Sequence, residues 1–200
     1  TLTLEHIPAM DTIARASHPV FLARVTDRRT DTGRIGCKKN GYGSESSDLF
    51  LDVSLTDWFG GVMNEELRRA GLRLVGPEAA EGVRVEIDVL SFFIEPEKSF
   101  FGNYDVHALV HAEVTVRFPD GSGYIRQYAS HTEDSSMLPT DGTYEEAMEK
   151  TVGGWMGQVV GDIVSLVEVH GRAVQSGLQR PGGVPVALPA GWRPGMREAG

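Results

Sequence analysis

YDVHALVHAEVTVRF, residues 104–118, alternates without a break. Val106, Ala108, Val110, Ala112, Val114, Val116 and Phe118 hold the even positions. Asp105, His107, Leu109, His111, Glu113, Thr115 and Arg117 hold the odd ones. A period of two over so long a run describes a β-strand with one face on a core and the other open. The turn signal Asp120-Gly121-Ser122-Gly123 follows and leads into a further strand over 124–131. With Gly121-Ser122 as the loop, Ile125 faces Phe118, Ala129 faces Val114 and His111 faces Thr132. A slip of one residue would set Ile125 opposite Arg117, so the first register is the expectation.

Working outward, Val83, Val85, Ile87 and Val89 are apolar while Arg84, Glu86 and Asp88 between them are charged. Beyond Leu90 this strand becomes apolar on both faces, through Phe92 and Ile94 towards Phe100-Phe101. VFLARVT, residues 20–26, reads as a short buried strand after His18-Pro19. Residues 52–72 form the first helix: Leu55, Phe59, Val62, Met63, Leu67 and Ala70 make a stripe that only Glu66 interrupts, and Gly71 is a natural stop. Residues 143–169 form a long amphipathic helix with Glu145, Glu146 and Glu149 near its positive end. Residues 27–51 lack periodicity and read as a long surface loop. The fold class expected is α/β (α+β), a two-layer sandwich of order β-α-β-β-β-α. It has a mixed sheet, a right-handed parallel first crossover and two helices on one face. The domain spans 19–170, between an N-terminal extension (1–18) and a Pro/Gly-rich basic tail (171–200) that is expected to be extended.

Glycines inside the helices cost up to about 1 kcal/mol each against alanine. Gly60-Gly61 sit in the first helix, and Gly153, Gly154, Gly157 and Gly161 in the last. Close approach of the two helices is the expected reason, and a partner helix docked on the stripe is the sharper alternative.

The chemistry-bearing residues do not assemble into a catalytic motif. The net charge of −9 argues against nucleic acid or an anionic membrane as the main partner. No run approaches the ~18 apolar residues of a membrane span. Cys37 is the single cysteine, so no internal disulfide forms. His107 and His111 share a strand face but lie about 13 Å apart at ~3.4 Å per residue. With His131 expected on the opposite face, the histidines do not converge on a metal. The glycines of Ile35–Gly43 lack the Lys-Ser/Thr ending of a phosphate loop. Ser44, Ser46 and Ser47 have no nucleophile elbow around them. No cofactor is expected.

The working surfaces expected are the 27–51 loop and the open sheet face. The residues singled out for partner binding are Gly36, Lys38, Lys39, Asn40 and Tyr42 in the loop, and Phe92, His107, His111 and Arg126 on the sheet. A protein or cell-wall component is the first kind of partner considered. A small molecule or glycan, or an unrecognised reaction, in a pocket near 92–104 is the alternative.

Val25-Thr26-Asp27-Arg28-Arg29, then Ile35-Gly36, Asn40-Gly41-Tyr42-Gly43 and a helix ending Glu65-Glu66-Leu67-Arg68-Arg69-Ala70-Gly71-Leu72 resemble the YajG-type bacterial lipoproteins over about residues 18–170. The resemblance implies an exported envelope protein on the periplasmic side, tethered, in the outer membrane for instance, by a lipidated N-terminal cysteine. Thr1 is not that cysteine and Cys37 is interior, so the expected anchor stands upstream or is absent. The resemblance implies no enzyme activity and no catalytic residues.

Overall fold

The computed structural model describes residues 1–5, 19–79, 81–99, 102–175 and 193–194. Its elements run β1 (Pro19–Asp27), β2 (Gly36–Lys39), β3 (Glu45–Leu49), α1 (Leu55–Arg69), β4 (Arg73–Leu74), β5 (Val83–Lys98), β6 (Tyr104–Arg117), β7 (Gly123–Ser136), α2 (Asp141–Gln175) and β8 (Arg193–Pro194). The expected β-α-β-β-β-α frame is present as β1, α1, β5, β6, β7 and α2. One mixed sheet of order β3-β2-β5-β6-β7-β8 carries β1 alongside β5, and β4 beside β1.

The 27–51 segment is a correction to the loop reading. It contains the antiparallel β2–β3 hairpin, which extends the sheet beyond β5 (Gly36 beside Ile94). A side chain cannot stand at position 36, because a Cβ there would lie 1.8 Å from the Ile94 carbonyl oxygen. Glycine therefore lets the hairpin dock.

β1 pairs in parallel with β5, Val20 opposite Val83 through Asp27 opposite Val89. It is mostly half-buried rather than buried, Val20 excepted. In β5 the odd residues Val83 to Val89 face the core as expected. The register then shifts between Val89 and Ser91, a β-bulge at Leu90. One extra residue reverses the parity, so Phe92 and Ile94 point into the core instead of outward.

The β6–β7 turn corrects the expected register. Phe118 and Ser122 close the hairpin, Phe118 N–H donating to the Ser122 carbonyl at 2.8 Å and Gly121 N–H to Phe118 O at 3.0 Å. Gly121 adopts φ +81°, so the loop is Pro119-Asp120-Gly121, a turn followed by a left-handed glycine. Ile125 consequently faces Thr115, and His111 faces Ala129. This displacement is an odd number of residues, so Tyr124, Arg126, Tyr128 and Ser130 take the helix-covered face of β7.

Both helices cover that face. Ser54 caps α1, its hydroxyl accepting from Asp57 N–H. At the other end Leu72 N–H reaches Leu67 O and Gly71 N–H reaches Arg68 O, with Gly71 at φ +82°. That paired closure is a Schellman motif. Phe59 of α1 meets Trp155 of α2 edge-on at 5.0 Å and Phe92 of β5 at 6.5 Å, an aromatic centre shared by the two layers. Leu2 and Leu4 join the same core. By length and composition α2 is apolar enough to cross a membrane, but half of that stretch is buried in the domain.

Gly60, Gly61, Gly153, Gly154 and Gly161 do not serve helix–helix contact. A Cβ at Gly153 or Gly161 would meet nothing within 4 Å, whereas one at Gly60 would touch Val25 and Leu22 and one at Gly154 would lie 3.0 Å from Ser130 Oγ. Close approach is therefore helix on sheet. The extended-tail reading concerns residues that, apart from the last turn of α2 and β8, lie outside those described. β8 pairs with Tyr124 and Ile125 at the β7 edge.

Candidate functional site

The hairpin end gathers the loop residues singled out from sequence. Asn40 turns the chain: its side-chain oxygen accepts from Tyr42 N–H at 2.9 Å and from Ser44 N–H at 3.2 Å, while Gly43 takes φ +84°. Tyr42 is thereby thrust out at the tip, 95% exposed. The Tyr104 hydroxyl donates to Asn40 O at 2.7 Å and Lys98 Nζ to Gly41 O, fastening the tip to the β5–β6 end. Lys38 pairs with Asp141 at the start of α2, and Lys39 with Glu95 at 3.4 Å.

These contacts frame a cleft of about 450 Å³ between the hairpin, the β5–β6 end and the β7–α2 connection. Lys38, Lys39 and Lys98 stand around it, with Met137, Leu138 and Pro139 supplying an apolar wall. Met137 is 83% exposed and Leu138 76%. Tyr144, also lining it, is buried, and burial with the neighbouring Cys37 and Asp141 pushes its phenol up to about 12. It stays a neutral hydroxyl at physiological pH.

The sheet residues singled out from sequence divide. Phe92 is fully buried against Trp58 and Phe59, a correction that follows from the Leu90 bulge. Arg126 is also corrected: the shifted register brings it under α2, where it pairs with Asp162 and its guanidinium lies 4.7 Å over the Tyr128 ring. The Tyr128 hydroxyl donates to the same Asp162 oxygen at 3.0 Å, and Trp155 Nε1 to Tyr128 O at 3.2 Å. That network locks α2 on β7. His107 and His111 do lie on the open face, but the expected separation of the histidines does not hold. His131 lies on the same face and stacks on His107 with ring centres 5.6 Å apart. His107 lies 3.7 Å from Glu97 and 3.9 Å from Glu133. Among the described residues no three His, Cys, Asp or Glu side chains come together as a metal site.

A second cleft, about 300 Å³, lies where the 27–35 segment meets the start of α1. Its arginines are committed to the fold. Arg29 is bidentate to Asp27 (2.9 and 2.8 Å) and donates to Arg34 O at 2.9 Å and Phe92 O at 3.2 Å. Arg34 is shared by Asp31, Glu45 and Asp48. The thiol of Cys37 is buried and its pKa is raised, chiefly by that burial, which suits an inert side chain.

Sequence reasoning missed Lys98, Met137 and Leu138. The signal for the last two was available: an apolar pair between Ser135-Ser136 and Pro139 has no place in a strand or helix pattern.

The model of a family described as uncharacterized lipoprotein, Lipoprotein_16, matches residues 14–165. No curated protein matches the sequence. Among solved structures, a Xanthomonas campestris protein of the DUF330 family is similar with a TM-score of 0.58 at 11% identity, over 88% of this chain and 98% of that one. A Helicobacter pylori neuraminyllactose-binding hemagglutinin homolog reaches a TM-score of only 0.37 at 12% identity, over 88% of this chain and 98% of that one.

Proposed function

Because the chain belongs to this lipoprotein family, whose description names no activity, we propose that it is a non-enzymatic bacterial envelope protein that holds a protein partner at its hairpin end. A lipidated cysteine ahead of Thr1 would tether it to the membrane, with the folded domain in the periplasm. The observation that carries the docking surface is the exposure of Met137 and Leu138 on one cleft, with Tyr42 exposed next in sequence to its Asn40–Gly41 rim. Large apolar side chains left in water at one end of a domain mark an interaction surface more often than they serve folding. The adjoining open sheet face, with Leu109, His107, His111 and His131, extends the available area.

Affinity capture from envelope extract tests this reading. The native protein and a Glu65→Ser control are expected to retain one stoichiometric partner. A Tyr42→Ser/Leu138→Ser variant with an unchanged unfolding midpoint is expected to lose it. Equal recovery by all three contradicts the assignment. A small-molecule or glycan site is the second reading, supported by the cleft's volume, which lies within the ~300–1,000 Å³ typical of ligand sites. A thermal-shift screen of muropeptides and metabolites, flat throughout, would remove it.

A further inference from the structure

We infer that the occupant of the hairpin-end cleft is an acidic peptide segment carrying a large apolar side chain, a deepening that rests on the docking surface proposed above. In a chain of net charge −9, the described residues lining this cleft include Lys38, Lys39 and Lys98 and no carboxylate. Asp141 and Glu95 stand behind Lys38 and Lys39, and the Gly41 carbonyl holds Lys98. Each such contact takes one of an ammonium's three N–H donors. The lysines are thus positioned, with donors remaining for an incoming carboxylate. Met137, Leu138 and Pro139 offer an apolar wall beside them. An acidic group next to an apolar side chain satisfies both halves of the lining.

The peptide assignment comes from reach. A small ligand confined to about 450 Å³ would leave Tyr42 in water beyond the Asn40–Gly41 rim. A chain running out of the cleft would cover Tyr42 as well. Long-range attraction does not help such a partner, because the rest of the molecule is acidic, so recognition is local and salt-sensitive.

The test is an amide NMR titration of the full chain with three unlabelled capped hexapeptides: alternating Glu-Leu, its Gln-Leu isostere and a Glu-Ser counterpart. The Glu-Leu peptide is expected to shift the Gly41, Gly102 and Leu138 amides saturably. The other two should bind about tenfold more weakly or not at all. A Lys39→Gln/Lys98→Gln variant with an otherwise native spectrum should lose about the same factor, and Glu65→Gln none. Equal binding of the Gln-Leu peptide, shifts centred elsewhere, or no shift at all overturns the inference. If partner capture through Tyr42 and Leu138 persists in that case, the docking surface stands and only the ligand chemistry falls.

Discussion

Arg29 joins three separate segments of this fold through one side chain. Its side chain is 6% exposed, and its guanidinium ties the end of β1, the 32–35 turn and the β5 backbone at Phe92 together. Breaking the pair leaves Asp27, 19% exposed, with only the backbone N–H of residue 29, a loss of charge-assisted hydrogen bonds worth about 2–3 kcal/mol. Arg29→Ala is expected to lower the urea-unfolding free energy by about that amount. Partial burial acts to raise the Asp27 pKa, and the hydrogen bonds and charge of Arg29 outweigh it, so the carboxyl is held below its ordinary 3.8. The stabilisation is therefore complete above the unfolded value and disappears as pH falls through the lower folded one. The stability gap between native protein and Arg29→Ala should persist down to the ordinary carboxylate range and narrow only below it. A gap that narrows at neutral pH would refute the linkage. Of all this the sequence shows only an Asp-Arg-Arg string; the carbonyls Arg29 reaches are sixty residues away or set by turn geometry.

At the scale of elements, long strands and both helices were legible because burial writes itself as periodicity. The misses have separate physical causes. β3 (Glu45–Leu49) is a polar edge strand, exposed except at Leu49, so it carries no alternation to read. β2 has four residues, too few for a period. The bulge at Leu90 adds one residue just where the strand turns apolar on both faces, so no alternation marks the point at which the faces of β5 exchange. The β6–β7 turn holds three loop residues instead of two, which moved Arg126 and Tyr128 beneath α2 and defeated the expected placement of Arg126. The hairpin gives a sharp test of the docking argument. Gly36→Ala would place a methyl 1.8 Å from the Ile94 carbonyl oxygen, backbone that cannot swing aside. The Ile94 amide, which donates to Ile35 O at 2.8 Å, should then exchange at least about tenfold faster. Val110, in mid-sheet, should keep its protection, and unchanged exchange at Ile94 would contradict the close-approach account.

For the whole molecule, the layers separate the packed core from the surfaces proposed for recognition. The helix-covered face holds the aromatic centre of Phe59, Phe92 and Trp155 and the Asp162 network. The opposite face and the hairpin end carry the exposed groups. The loop half of the candidate site was legible, since Asn40-Gly41-Tyr42-Gly43 announces a turn with an aromatic tip. The half contributed by Lys98 was not, and the Met137-Leu138 pair was visible as misplaced apolar residues without a location, because only the tertiary fold brings three distant segments to one cleft. A photocrosslinking phenylalanine analogue at position 42, compared with one at Glu65 on the exposed side of α1, reads out whether the hairpin end meets a partner. In envelope-bearing cells docking at the hairpin end predicts one discrete covalent adduct from position 42 and none from position 65. No adduct from position 42, or the same adduct from both, would contradict it.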